Sequence, residues 1–274
     1  MAEFTHLHLH TEYSLLDGAC DVHKLIDRVA ALGQKSVAMT DHGNIYGAVH
    51  FFNAAKAKGI KPILGCELYV CKADDHRADT PNDTNNHLLV LAENEEGYRN
   101  LIRLTSEASL HGFYRKPRVS KRYLAENSKG LIGFSGCLSG ELCEELSAGR
   151  YEKAKAAALQ YQDIFGRGNF YLELQDQGLE EEKKIQADLF RLEKELDIPL
   201  VLTNDSHYLC GEDSHGRRCA RQAHHFGRVA ELLFKRGGGT GLYEFAKACT
   251  RIGESPRGYF NLKGVERMIC LLED

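Results

Sequence analysis

The chain has 274 residues, of which 43% are hydrophobic, enough to build the core of one large α/β domain or two small ones. No run of eighteen apolar residues occurs, and the first residues lead directly into a polar alternating stretch, so the sequence predicts a cytoplasmic protein with no membrane span and no signal peptide. Nine cysteines, an odd number without a repeated CxxC spacing, favour reduced thiols and argue against both a disulfide framework and a zinc finger.

The net charge of −4 is unevenly distributed along the chain. Residues 1–214 contain 24 Lys and Arg against 33 Asp and Glu, whereas residues 215–274 contain 11 against 6. An acidic body argues against a broad electrostatic surface for nucleic acid. Any contact with DNA would therefore have to be local or supplied by another part of a larger protein.

The first predicted strand contains three histidines that alternate with leucines, in the order His-Leu-His-Leu-His over residues 6–10. The period-two alternation of a strand would point His6, His8 and His10 to the same side, where they could bind a metal ion. Asp17 follows seven positions after the last of them. Asp21 is then expected to cap a helix over about residues 22–32.

Strands and helices alternate along the rest of residues 1–215. Further strands are predicted at 36–39, 62–70, 87–92, 131–135, 170–174 and 199–203, and helices at about 45–57, 95–110, 141–148, 151–165 and 179–196. Seven strands that alternate with helices indicate parallel β/α units. Polar clusters follow several of the strands, which favours a closed barrel over an open sheet because the carboxyl ends of barrel strands converge on one site. Neither GxGxxG nor GxxxxGK[ST] occurs, so nucleotide-binding folds lose their main support.

Side chains that bind metals recur in and after these strands: His42 in TDHG, Glu67 in GCELY, Cys137 in SGC, and Asp205 with His207 in NDSH. Each of them alone is more simply explained as a structural residue, but their occurrence together favours a metal site. Imidazole, carboxylate and thiolate suit zinc, manganese or iron better than calcium or magnesium. The ligands outnumber the needs of one four-coordinate ion, so two or three ions and a hydrolase of phosphate esters are expected.

Five runs, HLHLHTEYSLLDG, TDHGNIYG, GIKPILGCELYV, SGCLSGEL and TNDSHYL, resemble the PHP (polymerase and histidinol phosphatase) domain, in the version that opens the alpha subunit of bacterial DNA polymerase III. The resemblance covers about residues 3–215 and implies a distorted seven-stranded (β/α)7 barrel that holds up to three ions. The metal ligands that it implies are His8, His10, Asp17, His42, Glu67, His87, Cys137, Asp205 and His207, and all nine positions carry residue types that bind metals.

His87 and His6 differ from the other histidines of the predicted site. His87 begins its predicted strand rather than ending it, so only the resemblance, here in the run HLLVLAEN, marks it as a ligand. His6 falls outside the nine and is expected to support the ligands from the barrel wall.

The resemblance implies a metal-dependent phosphoesterase, specifically a 3′→5′ exonuclease that acts in proofreading. Its implied partners are the 3′ end of DNA, other polymerase domains and replisome subunits. Arg115, Lys116 and Arg118 form a basic loop that could steer a phosphate backbone into the site. Two alternatives stay open: a stand-alone phosphatase for a small phosphomonoester, and a structural module that bound metals stabilise. No general acid outside the ligands is identified.

Residues 216–274 resemble nothing that we recognise. The abrupt loss of similarity near His215 suggests the hypothesis of a truncated gene or a shifted reading frame, and a basic tail is expected after the PHP domain of residues 1–215. The carboxylates of a polymerase site are absent, so this chain alone is not expected to synthesise DNA.

Overall fold

The computed structural model describes residues 4–15, 17–78 and 84–209. The predicted tail, residues 216–274, lies outside the described residues. Among the described residues, no helix is both long enough and apolar enough to cross a membrane.

Seven helices occur in the described residues; six lie close to their predicted positions, and the short helix Lys121–Glu126 was not predicted. Asp21 caps the first of them as expected, since its side chain accepts a hydrogen bond of 3.0 Å from the backbone of Lys24. Asn94 caps the long third helix in the same way through the backbone of Gly97. The helices are α1 (Val22–Ala31), α2 (Ala48–Ala57), α3 (Glu95–Leu110), α4 (Lys121–Glu126), α5 (Glu141–Ser147), α6 (Tyr151–Phe165) and α7 (Glu180–Leu196).

Eight strands form a single curled sheet within the described chain. They are β1 (Ser36–Met39), β2 (Lys61–Cys71), β3 (Asn85–Ala92), β4 (Phe113–Tyr114), β5 (Lys116–Val119), β6 (Leu131–Phe134), β7 (Phe170–Leu174) and β8 (Leu200–Leu202). Strand β2 pairs with β1, β3 and β5, and the order continues from β3 through β6 and β7 to β8. The short strands β4 and β5 form a hairpin that the sequence did not predict.

The N-terminal segment, residues 4–11, closes the barrel. The backbone of His10 donates to Ser206 and the backbone of Ser206 donates to His8, which joins the segment to the end of β8. On its other side the segment accepts hydrogen bonds from Ala38 and Thr40, in and just after β1. With this segment the ring has seven members, so the predicted distorted seven-stranded barrel is confirmed.

The direction of one strand differs from the predicted arrangement of parallel β/α units. Strand β3 pairs antiparallel with both β2 and β6, whereas the pairs β1 with β2, β6 with β7 and β7 with β8 are parallel. The amino end of β3 therefore lies at the same end of the barrel as the carboxyl ends of the other strands of the ring, which run parallel to one another. His87, near the start of β3, is carried to the end of the barrel where the other polar clusters lie.

The predicted alternation of the first strand is also wrong in one respect. The backbone bends at His8, and residues 4–11 contain only isolated bridges instead of a continuous strand. His6 consequently lines a small cavity beside α1 together with Leu9 and Leu25, and it contacts the ring of Phe4. His6 is thus part of the wall, as expected, but it does not share a face with the other two histidines.

The barrel interior is apolar at one end and polar at the other. One apolar cluster takes residues from the N-terminal segment and from every strand of the ring: Leu7, Ala38, Ile63, Leu89, Leu91, Ile132, Phe134, Tyr171 and Val201. Because inward positions recur every second residue, the same strands place Glu67, His87 and Glu173 in the next interior layer. The helices cover the outer face of the sheet with two larger apolar clusters.

The loop after β2 is tied to α3 by one carboxylate. Glu107 accepts hydrogen bonds from His76, Arg77 and His111. Although burial would raise the pKa of Glu107, these hydrogen bonds hold it at about 2. The carboxylate is therefore charged at neutral pH and fixes the loop to the helix.

Candidate metal centre

The polar end of the barrel brings together all nine side chains that the resemblance marks as metal ligands. Their polar atoms approach one another from seven places in the fold: the N-terminal segment, the loops after it and after β1, the strands β2 and β3, and the loops after β6 and β8. The nine are His8, His10, Asp17, His42, Glu67, His87, Cys137, Asp205 and His207.

Glu67 lies at the centre of this cluster and is completely buried. Its Oε1 is 3.4 Å from Nε2 of His8 and 2.9 Å from Nδ1 of His87, while its Oε2 contacts Nδ1 of His42. The Sγ of Cys137 is 3.8 Å from Oε1. One carboxylate thus touches ligands from four different parts of the barrel and is placed to be shared between ions.

Asp205 forms a second point of convergence. Its Oδ1 lies 3.2 Å from Nε2 of His8 and 3.0 Å from Nε2 of His10. The backbone of Asp205 has a φ of 47°, in the left-handed region, which Asp tolerates better than most residues other than Gly. This conformation turns the chain sharply after β8, so that Asp205 and His207 both belong to the cluster.

Asp17 and Cys137 complete the cluster at its edges. The Oδ2 of Asp17 lies 3.4 Å from Nε2 of His42 and 3.9 Å from Nε2 of His207. Cys137 follows Gly136, which has a φ of 82° and whose position leaves no room for a side chain, because a Cβ there would lie 2.7 Å from the backbone oxygen of His87. The turn that presents the thiol therefore requires glycine.

Three histidines are held by their outer nitrogens. Nδ1 of His8 is 2.6 Å from Glu173, Nδ1 of His10 is 3.1 Å from the hydroxyl of Ser14, and Nδ1 of His207 is 2.9 Å from the backbone oxygen of Asp205. A carboxylate and a carbonyl can only accept, so Nδ1 of His8 and of His207 carries a proton. Their Nε2 atoms face the cluster, as in histidines that bind metals.

The donors fit a group of metal ions. Nε2 of His8, Nε2 of His10, Oδ1 of Asp17 and Oδ1 of Asp205 are buried and have no hydrogen-bond partner among the described residues. Buried polar atoms normally have a partner, so these atoms are placed to bind a cation. The ligand atoms form three overlapping groups, and within each group the atoms lie within 4.8 Å of one another. The groups are His10, His42 and His207; His8, His10 and Glu67; and His42, Glu67 and His87.

The contacts within the cluster also shift the pKa values of its members. Burial opposes the charged imidazole, yet the nearby carboxylates, Glu67 and Asp17, raise the pKa of His42 to about 10. Burial also opposes the charged form of Glu67, but His87 and His42 hold its pKa well below its usual value. In contrast, burial and the neighbouring histidines lower the pKa of His10 to about 3. The imidazole of His42 is therefore protonated at neutral pH, and a metal ion that binds to it should displace this proton.

The thiol of Cys137 behaves differently. Burial and the charge of Glu67 raise its pKa well above the usual value. The thiol is therefore protonated at neutral pH unless a bound cation stabilises the thiolate that acts as a ligand.

The three predicted substrate-binding residues have different surroundings. Nζ of Lys116 lies 5.2 Å from the ring centre of Tyr69, whose ring is 5.1 Å from that of His87, so Lys116 borders the cluster. Arg115 is exposed at the tip of the hairpin. Arg118 is 2% exposed, and its guanidinium donates to backbone oxygens of the neighbouring loops. The prediction of a substrate contact is therefore corrected for Arg118, which anchors the hairpin.

Sequence reasoning missed two buried carboxylates around the ligands. Glu173 contacts His8, and Asp41 accepts hydrogen bonds from the backbone and hydroxyl of Thr11 and from the hydroxyl of Ser14. For Glu173 a signal existed, since it is the only charged residue in the strand FYLEL and lies two positions after an inward tyrosine. For Asp41 the sequence offered only its position next to His42.

Comparisons with known proteins agree with these observations. The sequence profile of the PHP domain family matches residues 6–177. The chain is 49% identical over 215 residues to the DNA polymerase III subunit alpha of Treponema pallidum (strain Nichols), covering 77% of this chain and 18% of that protein. It is 42% identical over 227 residues to the corresponding subunit of Helicobacter pylori (strain ATCC 700392 / 26695), covering 79% of this chain and 19% of that protein.

The chain spans about a fifth of the length of the curated relatives that it matches. Among solved structures, an amidohydrolase from Chromobacterium violaceum aligns with a TM-score of 0.47 and 14% identity over 82% of this chain and 96% of that protein. That structural likeness is too distant to bear on function.

Proposed function

Because the chain belongs to the PHP domain family, we propose that it forms the PHP domain of a DNA polymerase III alpha subunit and that its nine-residue cluster binds two or three divalent transition-metal ions for phosphodiester hydrolysis. The observation that carries this proposal is that several buried nitrogen and oxygen atoms, which have no hydrogen-bond partner within the described part of the chain, converge around Glu67 and Asp205. A folded chain rarely leaves several such atoms together unless a cation satisfies them.

The donor set suits zinc, manganese or iron. It combines imidazole nitrogens, carboxylates and one thiol. His10, His42 and Glu67 each belong to two of the three overlapping groups of ligand atoms. When bound, neighbouring ions of this kind activate water and neutralise the charge of a phosphate ester. The chain itself would hold the ions in place, exclude bulk water through the buried ligands, and attract the phosphate with Lys116.

The specific reaction that we propose is 3′→5′ exonuclease proofreading, with the 3′ end of DNA as substrate and the remaining polymerase domains and replisome subunits as partners. The identity to polymerase alpha subunits supports this choice. A cytoplasmic location belongs to the same proposal, since replication of bacterial DNA takes place there.

The test is the release of mononucleotides from a DNA strand labelled at its 3′ end. The purified chain is stripped with a chelator and then supplied with zinc, manganese or iron in turn. Asp205→Asn and His10→Ala should abolish the metal-dependent release, whereas Asp163→Asn, a change at an exposed position on α6, should leave it intact. Release that survives both changes in the cluster would contradict the assignment of the site.

Two alternatives give different results in the same experiments. A stand-alone phosphatase would cleave small phosphomonoesters and spare 3′-ended DNA. A structural module would lose melting temperature on chelation but show no hydrolysis when loaded. The second alternative is supported by the position of His8 and His10, because both lie in the segment that closes the barrel and ions bound to them would tie that segment to the other strands.

A further inference from the structure

Glu173 is a buried carboxylate in direct contact with a candidate metal ligand. It lies in β7, the residue is 1% exposed, and its Oε1 is 2.6 Å from Nδ1 of His8. The same oxygen accepts hydrogen bonds from the amide of Gln175, at 3.0 Å, and from the hydroxyl of Thr203. Burying a carboxylate in a barrel interior is costly, and these donors offset only part of that cost.

His8 differs from the two other histidines whose outer nitrogens are held. Nδ1 of His10 meets a hydroxyl and Nδ1 of His207 meets a backbone oxygen, whereas Nδ1 of His8 meets a carboxylate. A carboxylate accepts a stronger hydrogen bond than a hydroxyl or a carbonyl and holds the N–H of the ring in one direction. His8 should therefore be the most strongly oriented and the most electron-rich of the three imidazoles.

We propose that Glu173 is a positioning residue for His8, which it keeps protonated on Nδ1 so that the lone pair of Nε2 faces the ions. A carboxylate that accepts from the outer nitrogen of a metal-binding imidazole fixes the ring and increases its basicity. Nε2 of His8 is buried, lies 3.2 Å from Asp205 and 3.4 Å from Glu67, and is directed at the point where the other ligands meet. The inference rests on the proposed metal centre.

The experiment measures metal affinity in the full chain, by competition between the protein and a chromogenic chelator for Zn²⁺. Glu173→Ala removes both the charge and the acceptor and should weaken binding about 10- to 100-fold. Glu173→Gln keeps an acceptor oxygen without the charge and should restore part of the lost affinity. The visible spectrum of the Co²⁺-loaded protein should shift in both variants, because the geometry of a directly bound imidazole changes.

The matched control is Glu182→Gln on α7. Glu182 is also a buried glutamate, 3% exposed, but it accepts hydrogen bonds from the backbone of Gln177 and Leu179 instead of contacting a ligand. Its replacement should lower the melting temperature while Zn²⁺ affinity stays within about twofold.

The outcomes separate this inference from the proposed function. If the wild-type chain binds no transition metal, both fail. If it binds Zn²⁺ but both Glu173 variants bind within twofold of it, or lose no more affinity than Glu182→Gln, only the role of Glu173 is overturned. Glu173→Gln conserves volume, so it keeps the test valid should Glu173→Ala fail to fold.

Discussion

Replacement of Glu67 by Gln tests the electrostatic logic of the whole cluster. Glu67 is fully buried and contacts His8, His42 and His87. Glutamine has nearly the same volume, so the packing of the barrel should be retained. The change removes only the negative charge that faces these imidazoles.

The expected loss of stability follows from the contacts. The raised pKa of His42, about 10, keeps its ring charged at neutral pH in the metal-free chain, and Glu67→Gln deprives that charge of its closest partner. Removing one member of a buried ion pair costs about 3–5 kcal/mol. For a domain of this size each kcal/mol lowers the melting temperature by roughly 2–4 °C. A decrease on the order of 10 °C in the metal-free chain is therefore expected.

The assay has two parts. Thermal unfolding followed by circular dichroism in the presence of a chelator gives the melting temperature of the metal-free chain. Elemental analysis after reloading gives the number of ions per chain, which should fall for Glu67→Gln because this carboxylate is placed to be shared. The control is Glu126→Gln, which removes an exposed carboxylate on α4 and should change stability by no more than about 0.5 kcal/mol.

The reasoning would be refuted by a Glu67→Gln chain that melts within 1–2 °C of the wild type, roughly the shift that the control allows, and also binds the same number of ions. Unchanged stability with fewer ions would mean that the metal-free imidazoles are neutral, which would correct the charge argument and leave the ligand assignment intact.

Four further outcomes are expected. Lys116→Ala should raise KM for 3′-ended DNA several-fold with little change in kcat, as measured in the exonuclease assay. Arg118→Ala should lower the melting temperature because it removes a buried side chain and its hydrogen bonds to the backbone oxygens of Gly112 and His76. Glu107→Gln should destabilise the chain by about 1–2 kcal/mol at pH 7 in urea unfolding. Because the pKa of Glu107 is depressed to about 2, its contribution is complete above its unfolded pKa of about 4.5, and the difference between variant and wild type should shrink as the pH falls from there to 2. Gly97→Ala should unfold the chain or shift α3 in a thermal melt, since the new Cβ would lie 1.7 Å from the backbone oxygen of Gly130.

Each of these outcomes has a result that would contradict it, which for Arg118→Ala is a melting temperature equal to that of the wild type. An unchanged KM for Lys116→Ala would remove this lysine from the substrate path. A stability difference for Glu107→Gln that persists at pH 2 would assign its role to packing. A Gly97→Ala chain that is as stable as the wild type would show that the loop around Gly130 yields to the added methyl group.

Local patterns in the sequence were sufficient for most of the secondary structure and for the types of ligand. Hydrophobic periodicity and the cap at Asp21 predicted six of the seven described helices, all except α4, because caps and amphipathic faces depend on neighbours within one or two turns. The seven-stranded barrel followed from the alternation of elements and from polar residues after the strands. The nine candidate ligands came from the motifs of a known family, and their roles as ligands stay a proposal that the clustering supports.

Only the tertiary structure decided which of these residues face one another. The direction of β3 depends on its hydrogen-bonded neighbours, β2 and β6, and its reversal explains how His87 reaches the cluster from the start of a strand. The bend at His8, which separates His6 from the other histidines, arises where the N-terminal segment bonds to the ends of both β1 and β8. Arg118 is buried because distant backbone oxygens accept from it. Glu173 contacts His8, which lies 165 residues earlier in the chain, because closure of the barrel brings β7 close to the N-terminal segment. Sequence patterns report only on neighbours a few residues apart and could not predict this contact.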